Sequence, residues 1–210
     1  MQDRGIVHIV DDDEAVRKSL AFLLSSAGHA VRLYDSATAF LGDLPNLTGG
    51  CLITDIRMPD MTGLELLHQM KAKACALPAI VITGHGDVPL AVEAMKAGAV
   101  DFIEKPFDDQ AILGAVQAAL ERRGDGQGGD APVIVARLAS LSERERQVLE
   151  GLIAGQPNKT IAYDLGISPR TVEVYRANLM AKMEAKSLSE LIRMAILASV
   201  APARRNAGSR

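Results

Sequence analysis

Three aspartates, a threonine and a lysine stand where this chain could do chemistry. Asp11 and Asp12 close the apolar run IVHIV at 6–10, and Asp55 closes CLIT at 51–54. Thr83 ends AIVIT at 79–83, and Lys105 follows VDFI at 100–103. Three carboxylates that meet repel one another unless a cation lies among them, and such a hard-oxygen set suits Mg²⁺, or Mn²⁺ in its place. A carboxylate held in that field can attack a phosphoryl group, with an ammonium and a hydroxyl to receive the charge on the transferred oxygens. The acidic run Asp11–Glu14 could equally be a helix start or a solvated turn. Asp13 and Glu14 fit the helix start, where carboxylates meet the positive end of the helix dipole.

For this chemistry to work, the chain must bring five distant residues to one place. Short apolar runs at 6–10, 30–34, 51–54, 79–83 and 100–103 read as strands. Amphipathic stretches at 14–27, 36–44, 63–73, 88–97 and 108–122 alternate with them, and Gly28 and Gly98 follow two of these as cap residues. Alternation of this kind predicts an α/β domain with a parallel sheet and right-handed crossovers. Ligands of such sheets bind at the carboxyl ends of the strands. Every strand but the second delivers one of the reactive residues to that edge. Pro106, after Lys105, is a candidate for a cis bond that aims the lysine.

The 210 residues are 48% hydrophobic and 23% charged, in the range of a globular chain, with no tryptophan and aliphatic core material. No window is long and apolar enough to span a membrane, no signal peptide is evident, and Cys51 and Cys75 read as reduced core thiols. A cytoplasmic protein is expected. The net charge of −3 hides an asymmetry: residues 1–136 carry −8 and residues 137–210 carry +5. Two domains with different partners follow, the acidic one suited to a cation and the basic one to a polyanion. Four glycines within 124–129 mark a linker, drawn here as 123–136, between a domain over 1–122 and a second over 137–200. The tail 201–210 reads as disordered.

The second domain reads as helices at 142–154, 158–165, 169–184 and 188–199, with Asn158 and Ser168 as N-caps and Pro169 at a first helical position. The third and second of these have the grammar of a helix-turn-helix about Gly166. Ile161, Ala162, Leu165, Ile167, Val172, Leu179 and Met183 form its apolar side. Arg170, Thr171, Glu173, Val174, Arg176, Ala177, Asn178 and Lys182 form a face whose mixture of cation, carboxylate and small apolar groups suits base edges in a major groove. Lys159 and Thr160 open the preceding helix, where backbone amides favour phosphate.

Residues 5–122 resemble the receiver domain of two-component response regulators, through the acidic pair, TDIRMPDMTGLE, VITGHGD and EKPF in order. The resemblance implies a flavodoxin-like doubly wound fold of five parallel strands in order 2-1-3-4-5. It also implies that Asp55 accepts phosphate from a histidine kinase, that Asp11, Asp12 and the Arg57 carbonyl hold Mg²⁺ with Asp55, and that Thr83 and Phe102 form a switch pair beside Lys105. Gly84 stands where many receivers have Ala or Ser. Residues 137–200 resemble the LuxR-type four-helix DNA-binding domain, through LSERERQVL and SPRTVEVYRANLMAKM, with Tyr175 where that family often has His. VITGHGDVPLAVEAMKAGAVDFIEKPF and SLSERERQVLEGLIAG resemble the nitrogen-fixation regulators of this class. For those, the implied kinase is a haem oxygen sensor and the targets are promoters of nitrogen-fixation or microaerobic genes, with RNA polymerase as a further partner. The implied active form is a homodimer, formed on a face that includes Val88, Val92, Met95, Lys96 and Asp101. The family's last helix also contributes to a dimer contact; packing within its own domain is an equal alternative for 188–199.

Two rival functions compete, beside a third reading as a linker-joined interaction protein without DNA binding. A Mg²⁺-dependent phosphatase would use a D-x-D-x-[TV] strand end; Asp11 and Asp13 fit the spacing, but Ala15 stands where Thr or Val belongs. A regulator that dimerises without phosphate is the other. Elsewhere the structural readings are favoured: His8 packed in a strand, His85 and Asp87 polar loop and cap residues, Asp60 a turn residue, Met61, Met70 and Met95 core, Asp101 and Glu104 exposed beside the last strand.

Overall fold

The protein is described from a computed structural model, which covers residues 5–84, 88–121 and 131–200. His85, Asp87, the glycine-rich stretch up to residue 130 and the tail 201–210, all interpreted above, lie outside those residues. The chain divides into two compact units, Met1–Gly126 and Gln127–Arg210.

In the first unit β1 (Val7–Val10), β2 (Val31–Tyr34), β3 (Cys51–Asp55), β4 (Ala79–Thr83) and β5 (Asp101–Glu104) form one parallel sheet in the order β2-β1-β3-β4-β5. The three central strands are buried along their whole lengths, as unbroken apolar runs in a two-sided sheet must be. Between the strands lie α1 (Glu14–Ser26), α2 (Ala37–Asp43), α3 (Gly63–Ala72) and α4 (Val88–Ala97), and α5 (Asp109–Glu121) follows β5. One core cluster joins Val7, Ile9, Ile53, Ile80 and Ile82 of the sheet to Leu20 and Leu24 of α1 and to Ile112 and Val116 of α5. His8 is buried, bonded to the Tyr34 hydroxyl and the Gly49 carbonyl, and packed on Phe40. Burial holds its imidazole below the ordinary value. Met70 and Met95 are core, whereas Met61 and Cys75 are half-buried.

Caps explain several helix starts. Asp13 accepts from the amides of Ala15 and Val16 and so ends the acidic run as an N-cap, with Glu14 in the first turn of α1. Thr62 and Glu65 make a reciprocal capping box on α3. The carboxylate of Asp60 accepts from the Thr38 amide and hydroxyl, which ties the β3–α3 turn to α2. Gly28 and Gly98 take positive φ just past α1 and α4, as their positions predict. Asp101 is half-buried rather than exposed, and Glu104 is exposed; both lie within β5.

The second unit holds α6 (Ala131–Ala139), α7 (Glu143–Ile153), α8 (Asn158–Leu165), α9 (Pro169–Met183) and α10 (Leu188–Val200). Helix α6 corrects the sequence reading, which placed 131–136 in the linker. Its Ile134 is buried and its Arg137 bonds to the Met183 carbonyl and to Glu184, so tertiary contacts give order to a short apolar segment. A second correction concerns Asn158: the cap of α8 is Pro157, with no side-chain bond, and Asn158 is the first helical residue. Ser168 caps α9 through the Thr171 amide, with Pro169 at the first helical position, and Gly166 ends α8 in the left-handed conformation. Among the described residues, no helix is long and apolar enough to cross a membrane.

Candidate functional site

The sheet register explains how the reactive residues meet. Val10 pairs with Thr54, Asp55 with Ile82, and Thr83 with Glu104, so the carboxyl ends of β1, β3, β4 and β5 line up. Asp11 follows Val10 directly, and the Lys105 amide donates to the Thr83 carbonyl at 2.7 Å. The Lys105–Pro106 peptide is cis.

At this edge the Lys105 ammonium bridges two carboxylates, donating to Asp11 Oδ2 at 2.9 Å and to Asp55 Oδ1 at 2.7 Å. Asp11 is 1% and Asp55 6% exposed. The remaining oxygens are also engaged: Asp11 Oδ1 accepts from the Asp13 amide at 2.9 Å, and Asp55 Oδ2 from the Arg57 amide at 2.6 Å. The Arg17 guanidinium, from α1, donates to the Asp11 carbonyl. Burial pushes the Asp11 carboxyl above the ordinary value; Lys105 opposes this and the charge of Asp55 adds to it. Burial pulls the Lys105 ammonium down, but its bonds to Asp55 and Asp11 outweigh that and hold it above the ordinary value.

Of the residues expected here, Asp11, Asp55 and Lys105 come together, with buried Thr83 on the next strand end and half-buried Phe102 on β5 opposite Val81. Asp12 is exposed, and among the described residues no three acidic, histidine or cysteine side chains form a metal-holding group. Mg²⁺ needs only one or two carboxylates, since it keeps several waters. Two buried carboxylates, one of them with a raised proton affinity, plus a backbone turn at Arg57 fit that demand. Gly63 was not singled out as a site residue. A Cβ there would stand 2.3 Å from the Asp55 carbonyl oxygen, so α3 can start against the site only with glycine. The Thr-Gly-Leu-Glu spacing of the capping box was the available signal.

The surface expected for dimerisation is corrected at two positions. Val92 and Met95 are buried, because the apolar side of α4 packs inward. Lys96 is exposed and Asp101 half-buried; Val88 begins α4.

On the second unit Arg170, Glu173, Val174, Ala177 and Asn178 are exposed along α9, as are Lys159 and Thr160 at the start of α8. Thr171 is half-buried with its hydroxyl on Ser168. Two of the cations expected on this face are engaged inside the unit. Arg176 donates to Asn158 Oδ1 at 3.0 Å, and Lys182 donates to Glu145 Oε2 at 2.7 Å. Tyr163 on α8 is 88% exposed and was not anticipated as a surface feature.

A five-stranded parallel sheet with an Asp–Asp–Lys cluster at its carboxyl edge, followed by a helical unit built about a helix-turn-helix, defines a class. The profile of the response regulator receiver domain matches residues 7–117, and that of the bacterial regulatory proteins of the luxR family matches 139–195. The chain therefore belongs to the two-component response regulators that are transcription factors with a LuxR-type DNA-binding domain, and is not a classical enzyme. Within that class it is of the FixJ type. It is 63% identical over 199 residues to the transcriptional regulatory protein FixJ of Azorhizobium caulinodans, covering 94% of each chain. It is 54% identical over 202 residues to FixJ of Bradyrhizobium diazoefficiens, covering 95% of this chain and 98% of the relative. The crystal structure of full-length FixJ from B. japonicum superposes with a TM-score of 0.55 at 55% identity, covering 93% of this chain and 98% of that one. Receiver domains generally bind Mg²⁺ at the phosphorylation site.

Proposed function

We propose that this chain takes a phosphoryl group on Asp55 from the phosphohistidine of a sensor kinase, and then dimerises and activates transcription. The observation that carries the reading is the Lys105 ammonium shared between Asp11 and Asp55 beside buried Thr83. A carboxylate oxygen of Asp55 attacks phosphorus, the P–N bond breaks with its electrons going to the imidazole, and an acyl phosphate forms on Asp55. Lys105, already in the site, moves its hydrogen bond from Asp55 to a phosphoryl oxygen, and the Thr83 hydroxyl turns to another. Asp11, Asp12, Asp55 and the Arg57 carbonyl would hold a divalent cation, which would supply charge neutralisation for the transferred group.

The phosphoryl group adds roughly −1.5 to −2 charge units. Thr83 moves toward it and leaves room that Phe102 fills, which shifts α4 and β5. Moving such an equilibrium from 1:99 to 99:1 takes about 5.5 kcal/mol of preference for the active state. Dimerisation through the exposed part of the α4–β5 face, with Lys96 and Asp101, brings two recognition helices to half-sites about one helical turn apart. Arg170, Thr171, Glu173, Val174, Ala177 and Asn178 read bases while Lys159 and Thr160 meet phosphate. By similarity to FixJ, the kinase is FixL-like, a haem oxygen sensor, and the promoters serve nitrogen-fixation or microaerobic genes in the cytoplasm, with RNA polymerase as the downstream partner.

Gel filtration of the full chain with and without beryllofluoride and Mg²⁺ tests this. A shift from monomer to dimer, with tighter promoter binding, is expected. An unchanged elution volume would favour a regulator indifferent to phosphate.

A further inference from the structure

Helix α9 is pinned by side-chain bonds from three of the helices packed on it, α6, α7 and α8. Arg137 of α6 donates to the Met183 carbonyl at 3.0 Å and pairs with Glu184, closing the carboxyl end. Asn158 of α8 holds Arg176 at mid-helix. Glu145 of α7 holds Lys182 in the last turn. The Glu145 site differs from the other two in one respect: its carboxylate is buried, 4% exposed, although it carries a charge. Two donors meet at its Oε2, and the helix start around it is capped. The Ser142 amide and the Lys182 ammonium each donate to Oε2 at 2.7 Å, and the Glu145 amide in turn donates to the Ser142 hydroxyl, which completes a capping box. The start of α7 and the end of α9 therefore share one oxygen atom. A charge-assisted bond to a buried carboxylate in the last turn of a helix about four turns long fixes its tilt better than a surface pair does, because the buried partner has no freedom to follow.

We propose that Glu145 is a positioning residue for sequence recognition: through Lys182 it sets the angle at which α9 presents Arg170, Glu173, Val174, Ala177 and Asn178 to base edges. Lys182, by the same token, is spent inside the domain and is not a phosphate contact. The proposal rests on α9 being the recognition helix, as stated under the proposed function.

The two roles for Lys182 differ in their salt dependence. Each phosphate contact contributes about −0.9 to the slope of log K against log salt. A positioning ammonium contributes nothing to that slope, but its loss weakens discrimination between sequences. The test uses the full chain activated with beryllofluoride, a duplex selected by the wild-type chain from a random library, and a scrambled duplex of the same length, titrated over a range of salt. Glu145→Gln and Lys182→Met are each expected to weaken binding to the selected duplex about 10-fold, with binding to the scrambled duplex and the salt slope unchanged. The double variant is expected to be no worse than either single one, and Lys182→Arg to keep discrimination. If Glu145→Gln fails to fold, Lys182→Met and Lys182→Arg, at the exposed end of the pair, carry the test. A Lys182→Met slope shallower by about one unit, with Glu145→Gln binding as tightly as wild type, would overturn the proposal in favour of a phosphate contact. Variants that lose thermal stability yet discriminate as wild type does would overturn it in favour of a purely structural pair. Failure of the wild-type chain to select any duplex would instead sink the reading of α9 on which the proposal stands.

Discussion

Replacing Lys105 by methionine removes the ammonium that bridges Asp11 and Asp55. At the observed contacts of 2.9 and 2.7 Å, each attraction is about 6 kcal/mol before the desolvation of the ammonium is subtracted. Measured losses on breaking one side of a fully buried pair are about 3–5 kcal/mol. Lys105 keeps a quarter of its side chain in solvent, and methionine fills much of its volume, so a loss of about 2–3 kcal/mol is expected in the absence of metal. For a unit of this size that lowers the midpoint by on the order of 10 °C. The loss depends on pH with a definite sign. Folded Asp11 holds a proton more tightly than the unfolded residue does, so its contribution is present at low pH and lost as pH rises through the folded value. Without Lys105 the neighbouring charge of Asp55 raises that value further. Calorimetry in EDTA should therefore show a wider gap between variant and wild type at pH 8 than at pH 5, because a falling pH favours the proton that offsets the lost ammonium. A gap that is equal at the two pH values, or a variant as stable as wild type at pH 8, would refute the coupling of the three groups.

Gly63→Ala should destabilise the first unit by about 2–4 kcal/mol and slow phosphate uptake, since the new Cβ drives against the Asp55 carbonyl; urea unfolding and a phosphorylation time course read both. Asp13→Ala should cost about 0.5–2 kcal/mol by removing the cap of α1, with phosphorylation left intact, as urea midpoints and acetyl phosphate labelling would show. Glu145 gives the second unit a pH dependence of the opposite sign to that of Asp11. Its bonds to Lys182 and Ser142 hold the carboxyl below the ordinary value of 4.5, so its contribution is present above that value and lost as pH falls through the folded one. Acid titration of helix signal in wild type and Glu145→Gln checks this, the variant losing less stability between neutral and acid pH.

The sheet and its crossovers were legible because each central strand is an unbroken apolar run and each helix an amphipathic one. The edge residues were legible because parallel strands deliver their carboxyl ends to one side. What escaped was set by contacts distant in sequence. Helix α6 is short and rich in β-branched residues, and its order comes from packing under α9 and α10, so it read as linker. The buried side of α4 could not be told from its exposed side by period alone, so Val92 was read on the dimer face and Met95 both on that face and as core; both are buried. A cation on a recognition helix has two kinds of partner, DNA or its own domain, and local pattern does not choose between them. Glu145 lies 37 residues from Lys182; only the S-x-x-E spacing Ser142–Glu145 marked it as a capping residue. Asn158 has the right residue type for a cap, but Arg176 claims its side chain.

The most direct test of the account is to locate the phosphoryl group. Full-length protein treated with acetyl phosphate and Mg²⁺, then digested and mapped by mass spectrometry under conditions that keep acyl phosphates, should carry one phosphoryl group on the peptide containing Asp55, and Asp55→Asn should carry none. Uptake by Asp55→Asn at the wild-type rate, or a phosphoryl group on Asp11, would contradict it.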